Sequence, residues 1–208
     1  MVKPEHKAIG VGAGHECVIF WLADRIGKVV ATDLYGNEEW TSDFGLEADA
    51  GVLEDPQKYC PRPIRNEAVE FRMMDGTDLS FYEDATFDIA WSLSSIEHFG
   101  GHEKAAQAVR EMARVVKPEG IVVIATEYIM LGDQTDDEWF NQADIEKYVI
   151  NASPQLELVE EMDWSWPPPE YLLDAVVYPH NVQRARRHIV LNDGEMQWTS
   201  ILGFFRRT

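Results

Sequence analysis

The stretch KAIGVGAGHECVIFWLADRIGKVVATD, residues 7–33, decides the fold class of this chain. It begins with a short apolar run, continues through a glycine-rich turn into an apolar segment with helical spacing, and ends in a second apolar run that closes on Asp33. A strand, a glycine turn, a helix and a second strand in this order form a βαβ unit with parallel strands. The stretch therefore predicts the first part of a parallel α/β sheet.

The rest of the chain continues this alternation of strands and helices. One helix is predicted over His102–Val116, where apolar residues recur on one helical face, and another over Asn141–Ile150. Further strands are expected at Val69–Asp75, Phe87–Leu93, Ile121–Tyr128, Leu156–Trp164 and Thr199–Arg206. Short apolar strands separated by helices predict a doubly wound α/β sheet covered on both faces, in one domain over residues 1–208.

Chain length, composition and net charge limit the classes of protein to which this chain can belong. A chain of 208 residues with 45% apolar residues suits a single domain with a continuous core. The formal net charge of −19 disfavours nucleic acid as a partner, because phosphate backbones repel an acidic surface. No apolar run is long enough to span a bilayer and the amino terminus does not resemble a signal peptide, so we expect a cytoplasmic protein. Cys17 and Cys60 lack metal-like spacing, and no metal site is expected.

The glycine turn and Asp33 together predict a site for a nucleoside cofactor. Gly10, Gly12 and Gly14 let the backbone approach a ligand closely, and the helix that follows directs free N–H groups toward it. A carboxylate at the end of the second strand can accept hydrogen bonds from both ribose hydroxyls. These signals leave NAD and S-adenosylmethionine open, although the third glycine of a dinucleotide fingerprint would fall at His15, which disfavours a pyrophosphate-binding turn.

Four later stretches complete an ordered set of motifs. They are DGTDLSF at 75–81, FDIAWS at 87–92, IEH at 96–98 and RVVKPEG at 114–120. Together with the glycine turn, this set resembles the class I S-adenosylmethionine-dependent methyltransferases, specifically their type 11 branch. The resemblance covers roughly residues 8–128, in family order and at family spacing.

The resemblance implies a Rossmann-like, seven-stranded, mostly parallel sheet with an antiparallel last strand, and S-adenosylmethionine as cofactor. It implies that the three glycines border the methionine part of the cofactor. Asp33 would hold the ribose, with Leu34 beside the adenine. Asp75 would accept from the adenine amino group with Gly76 alongside, and Ser92 would lie near the amino-acid end.

The acceptor is less well specified. Within the family, residues 92–101 resemble segments of bacterial enzymes associated with glycan and surface-polysaccharide synthesis. We therefore expect methyl transfer to an oxygen of a small molecule or of a sugar or glycan, with N-methylation and carboxyl methylation left open. A non-catalytic cofactor-binding or assembly module with the same fold is the main alternative, followed by an NAD-dependent oxidoreductase. A homodimer is also compatible with the sequence.

His98 and Glu127 are the candidate catalytic residues. Methyl transfer depends mainly on positioning and water exclusion, and a general base is needed only for a poorly acidic nucleophile. His98 follows the fourth strand, on the side where the methyl group is expected, and Glu127 lies at the end of the fifth. His15 and His180 are secondary candidates for catalysis. A helix cap explains His15 equally well, and a position in a surface loop explains His180.

Departures from the family pattern concern the substrate pocket. Ala8 stands where an acid is common, and Glu119 replaces a glycine of the Pro-Gly-Gly turn. Few residues precede the first strand, so the helices that often cap the pocket are missing. We expect the long loops 35–66 and 164–193 to form a substrate lid, the alternatives being a partner subunit or an open pocket.

Four tryptophans, Trp40, Trp139, Trp164 and Trp166, fall in predicted loops. An indole in a loop can stack on a sugar or a planar substrate. It can equally fill the core beneath a long loop, and the sequence does not distinguish the two roles.

Overall fold

A mixed sheet with helices on both faces forms the framework. The computed structural model describes residues 2–36, 48–132, 137–166, 168, 176–177 and 190–208. The strands are β1 (Lys7–Val11), β2 (Lys28–Asp33), β3 (Val69–Met73), β4 (Phe87–Leu93), β5 (Val116–Leu131), β6 (Leu156–Leu158), β7 (Val176–Val177), β8 (Leu191–Asn192) and β9 (Gln197–Arg207). The helices are α1 (Cys17–Ala23), α2 (Gly51–Glu54), α3 (His102–Val115) and α4 (Gln142–Ile145), and α4 continues into a π-helical turn over Glu146–Ile150.

The sheet order explains where a ligand can bind. Strands β1 to β5 are parallel and lie in the order β3-β2-β1-β4-β5. Strand β9 pairs antiparallel with β5, while β6 and β8 pair with β9, and β7 pairs with β8. The expected mostly parallel, Rossmann-like sheet with an antiparallel last strand is confirmed. Within the described ranges, the two-residue strands β7 and β8 are additional to the seven that the family implies.

Some strands end where the local sequence predicts, and others end where pairing with a neighbouring strand stops. Strands β1, β2 and β4 begin and end where the apolar runs predict. Strand β5 is longer than expected, because it pairs with β9 as far as Leu131. Strand β6 is shorter, because its pairing with β9 ends at Leu158, opposite Phe205, and the acidic residues that follow are exposed.

The two sheet faces carry separate apolar clusters. On one face, Val109 and Met112 of α3 and Ile145 of α4 pack over β4 and β5, and all three side chains are fully buried. On the other face, Ile19 and Leu22 of α1 pack over β1 and β2. No helix among the described residues is long and apolar enough to cross a membrane.

Much of the expected lid lies outside the described residues. In the segment 35–66, the structure shows α2, a 3₁₀ turn over Pro56–Tyr59 and the start of another at Asn66. These elements replace part of the loop that the sequence suggested. Residues 37–47 and most of 167–189 are not described, and Trp40 and His180 fall among them.

Candidate active site

The carboxyl ends of β1, β2 and β4 meet at one edge of the sheet. The chain continues from β1 to β2 on one side, whereas β4 pairs with β1 on the other. This reversal of strand order opens a crevice at the carboxyl ends, which is where open α/β sheets bind ligands. The glycine turn after β1 and the residues after β4 lie on opposite sides of this crevice.

Close packing requires glycine at two positions of the turn. Gly12 has a φ of +64°, a left-handed conformation that disfavours any side chain. A Cβ atom built on Gly12 would lie 2.7 Å from the Cβ of Ser95, and one built on Gly10 would lie 2.4 Å from the indole of Trp91. The backbone of this turn is therefore held directly against β4 and the residues that follow it.

Asp33 ties the glycine turn to the end of β2. Its Oδ2 accepts a hydrogen bond from the Gly14 N–H at 2.8 Å, and its Oδ1 accepts one from the Leu34 N–H at 2.7 Å. Burial raises the pKa of Asp33, and the two backbone N–H groups oppose that rise. Each carboxylate oxygen has a second lone pair, so Asp33 can also accept hydrogen bonds from a ribose.

Two hydroxyl groups mark the β4 side of the crevice. The Ser95 hydroxyl lies 2.6 Å from the Gly12 carbonyl oxygen, and this hydrogen bond joins the residues after β4 to the glycine turn. Ser92 is fully buried, and its hydroxyl has no hydrogen-bond partner among the described residues. A buried hydroxyl without a partner is costly, and the contact of Ser92 with the amino-acid end of the cofactor stays a prediction.

The turn after β3 brings Asp75 and Gly76 to the same edge. Oδ1 of Asp75 accepts hydrogen bonds from the N–H and the hydroxyl of Thr77, at 2.8 and 2.7 Å. A Cβ atom on Gly76 would lie 2.7 Å from the Phe99 ring and 2.8 Å from Cγ1 of Val11. The turn is therefore packed against β1, and Asp75 stays exposed beside the crevice.

These groups fit the cofactor that the resemblance implies. Asp33 offers acceptors for a ribose, Asp75 is exposed beside the turn, and Leu34 presents an apolar side chain that is 45% exposed. The three predicted glycines, Asp33, Leu34, Asp75, Gly76 and Ser92 all lie at the carboxyl ends of β1 to β4 or in the turns that follow. Their individual roles toward the cofactor stay predictions.

His98 lies in a 3₁₀ turn, Ile96–His98, that follows β4. Its Nδ1 is 3.6 Å from Oε2 of Glu138, and its side chain is 31% exposed. Burial lowers the pKa of His98, and Glu138 partly opposes that effect. The imidazole is therefore mostly neutral at neutral pH and can accept a proton.

Glu127 lies on β5, where Ser200 of β9 is its partner in the sheet. Burial raises the pKa of this carboxyl. The carboxylate that forms an ion pair with His98 belongs to Glu138, not to Glu127. The two candidate catalytic residues are thus on neighbouring elements, but the structure does not show them as a hydrogen-bonded pair.

Glu97 is a feature that the sequence did not single out, although it stands in the IEH motif. It is 2% exposed, and its Oε2 accepts a hydrogen bond from the Thr126 hydroxyl at 3.0 Å. Its Oε1 has no partner in the described part of the chain. Burial raises the pKa of Glu97 to about 7, and the charge of Glu127 adds to the rise. The signal in the sequence that could have identified Glu97 is its position next to His98 in the IEH motif.

The described tryptophans divide between the core and the surface. Trp139 packs edge-on against Trp198 with ring centroids 5.0 Å apart, which is a packing role. Trp164 contacts the main apolar cluster, whereas Trp166 is 51% exposed. The ring of His15 stacks near that of Tyr59 at 4.7 Å.

Comparison with known families gives one clear match. Residues 9–124 match the family described as "Methyltransferase domain". A curated relative, methyltransferase GfsG from Streptomyces halstedii, is 29% identical over 124 residues, which make up 60% of this chain and 38% of the relative. The chain thus spans well under half of the length of that relative.

Solved structures share the architecture over almost the whole chain. The YcgJ protein from Bacillus subtilis superposes with a TM-score of 0.61 at 14% identity, over 99% of this chain and 93% of the other. A S-adenosylmethionine dependent methyltransferase from Mesorhizobium loti gives a TM-score of 0.59 at 14% identity, over 98% and 91%. At 14% sequence identity, the structural similarity to these two proteins establishes the fold alone.

Proposed function

The chain belongs to the methyltransferase domain family that its residues 9–124 match, and we propose that it transfers a methyl group from S-adenosylmethionine to an oxygen of a small-molecule or sugar acceptor. S-adenosylmethionine is the cofactor of this family. The observation that carries the proposal is the hydrogen bond from the Gly14 N–H to Oδ2 of Asp33, which ties the glycine turn after β1 to the end of β2. That hydrogen bond holds the glycine turn and a carboxylate side by side, which supports a site for a nucleoside with an amino-acid arm.

The protein's share of the chemistry is binding, orientation and proton removal. The cofactor, when bound, supplies a methyl group that is already activated on a sulfonium centre. Asp33 and the glycine turn would orient it. His98, which is mostly neutral because burial lowers its pKa, would accept the proton of an acceptor hydroxyl. A base at His98 favours a hydroxyl acceptor over a carboxylate, because a carboxylate is already ionised.

Calorimetry tests the cofactor part of the proposal. Wild-type protein is expected to bind S-adenosylmethionine and not NAD. Asp33→Ala should weaken binding by at least about 100-fold, because it removes acceptors for two ribose hydroxyls and releases the turn. Asp24→Ala, which removes an exposed acid after α1, is the matched control and should bind normally.

The outcome that would overturn the cofactor assignment is binding of NAD without binding of S-adenosylmethionine. Absence of any cofactor binding would favour a non-catalytic module instead. For the acceptor, methyl-labelled cofactor is supplied with a panel of alcohols, sugars, amines and carboxylic acids. Transfer only to amines would show that the oxygen assignment is wrong.

A further inference from the structure

A cleft of about 250 Å³ lies beyond the cofactor edge, between β5, β9 and the residues 163–166 and 168. Leu93, the last residue of β4, pairs with Ala125 on β5, and Tyr128 lies three residues further along. At about 3.3 Å per residue, Tyr128 is roughly 10 Å past the end of β4. The cleft is therefore next to the crevice that we assign to the cofactor, but separate from the glycine turn.

One wall of the cleft is aromatic. The rings of Tyr128 and Trp164 meet edge to face, with centroids 5.5 Å apart and an interplanar angle of 67°. Both rings also pack against the main apolar cluster, which holds them in place. Trp166 lines the same cleft and is 51% exposed, so much of its indole is open to a ligand.

The rest of the lining combines polar and apolar residues and carries one negative charge. Asp163 accepts a hydrogen bond from the Ser165 N–H at 2.9 Å, and both residues line the cleft with Thr199. The hydrogen bonds from Ser165 lower the pKa of Asp163, so its carboxylate is ionised at neutral pH. An ionised carboxylate accepts hydrogen bonds from hydroxyl or ammonium groups and repels anions.

We infer that this cleft binds one neutral or amino sugar ring of the acceptor, with the ring stacked on Trp166 and its hydroxyls bonded to Asp163. The C–H face of a pyranose is slightly positive and complements the negative face of an indole. A purely aryl acceptor would use the aromatic wall but not the remaining hydrogen-bond acceptors of Asp163. A uronic acid would be repelled.

The size of the cleft is consistent with a single ring. Pockets for drug-sized ligands usually measure about 300–1,000 Å³, so about 250 Å³ holds a smaller group. A longer acceptor would extend out of the cleft. The inference rests on the proposed function, because the sugar is an acceptor only if the chain transfers methyl groups. Sugar binding itself can be measured without the cofactor.

Saturation-transfer NMR on the full chain tests the inference. The probes are the methyl glycosides of glucose, mannose, galactose and glucosamine, with p-cresol and methyl glucuronide as contrasts. At least one neutral or amino glycoside is expected to bind saturably and to compete with the others. Trp166→Ala should weaken that binding about five- to tenfold.

Two further variants make the test specific. Trp21→Ala removes an indole of similar exposure, 45%, on α1 and should leave sugar binding unchanged. Asp163→Asn keeps an acceptor for the Ser165 N–H but removes the charge, so methyl glucuronide should begin to bind.

The inference is overturned if no glycoside binds, if p-cresol binds more tightly than every glycoside, or if Trp166→Ala and Trp21→Ala behave alike. Calorimetry with S-adenosylmethionine on the same sample separates the two proposals. Cofactor binding without glycoside binding would remove only the sugar site, whereas loss of cofactor binding would remove the proposed function.

Discussion

The two sides of the crevice are held in different ways. Around the glycine turn, Asp33 and Ser95 form hydrogen bonds to backbone groups of the turn at 2.8 Å or less. After β4 and along β5, Glu97 keeps one carboxylate oxygen without a partner in the described ranges, and burial raises the pKa of both Glu97 and Glu127. The first side is rigid and suited to binding, whereas the second keeps groups that can hold or move a proton.

The largest expected effect tests the proton-transfer side. His98→Asn should lower kcat by about 100-fold or more, because it removes the group that we propose as the general base. Wild-type activity should fall as the pH drops through the His98 pKa, which burial places below 6.5, and His98→Asn should lose that acidic limb. Steady-state rates at saturating cofactor, measured across pH, give both results.

Glu138 provides the matched control for this prediction. Its carboxylate opposes the effect of burial on His98, so Glu138→Gln should move the acidic limb to lower pH without abolishing activity. An unchanged kcat in His98→Asn would show that the reaction needs no base at this position. The crevice would then differ from side to side in rigidity but not in chemistry.

The next effect tests the rigid side. Gly12→Val should weaken cofactor binding by at least about 100-fold, because it combines left-handed backbone strain with a clash against Ser95 and Phe99. Gly194→Ala is the control, since Gly194 has a φ of +101° but no atom within 4 Å of its added Cβ. Normal binding by Gly12→Val, measured by calorimetry, would contradict the packed turn.

Glu97 allows the proton-holding side of the crevice to be tested through the free energy of unfolding at different pH values. Its pKa is about 7 in the folded protein and 4.5 as the ordinary value, so the unfolded chain ionises first as the pH rises. Stability should fall between these values, by about 3 kcal/mol in total, and stay low above pH 7. Glu97→Gln removes this loss, and should be more stable than the wild type by about that amount at pH 8 but not at pH 4.

Urea unfolding at the two pH values measures the difference. Glu83→Gln, at an exposed position before β4, is the control and should leave the pH dependence unchanged. If Glu97→Gln gave equal gains at both pH values, the effect would come from packing and not from ionisation. Glu97 would then not belong to the proton-holding side of the crevice.

The same contrast explains how much of the site the sequence predicts. Glycine spacing and an acid at a strand end are local features, so the glycine turn and Asp33 can be recognised from the sequence alone. The buried Glu97 bonds to Thr126 on β5, 29 residues further along the chain, and nothing local distinguishes it from the other members of a set of 37 acids. The tryptophans are also ambiguous in the sequence, because only packing separates the half-buried Trp164 from the exposed Trp166.

The ends of the strands also divide into those that the local sequence predicts and those that distant contacts set. Strands β1, β2 and β4 match their predicted bounds because polar or glycine residues flank their apolar runs. The longer β5 and the shorter β6 are set by pairing with β9, which is distant in sequence. Local pattern thus predicts the bounds of β1, β2 and β4 at the cofactor edge, whereas β3 ends at Met73, two residues before the predicted Asp75. Pairing between β5 and β9 sets the strands that border the proposed sugar cleft.

The smallest expected effect concerns the link between the two sides. Ser95 is half-buried, and its hydroxyl bonds to the Gly12 carbonyl from the residues after β4. Ser95→Ala should lower stability by about 1 kcal/mol, the usual net value of one such hydrogen bond. Because the turn would lose one of its anchors while Asp33 still holds Gly14, cofactor affinity should fall only a few-fold. Ser80→Ala, at an exposed turn position, is the control. A loss of affinity as large as that of Gly12→Val would mean that the rigid side depends on the residues after β4, and that the two sides act as one unit.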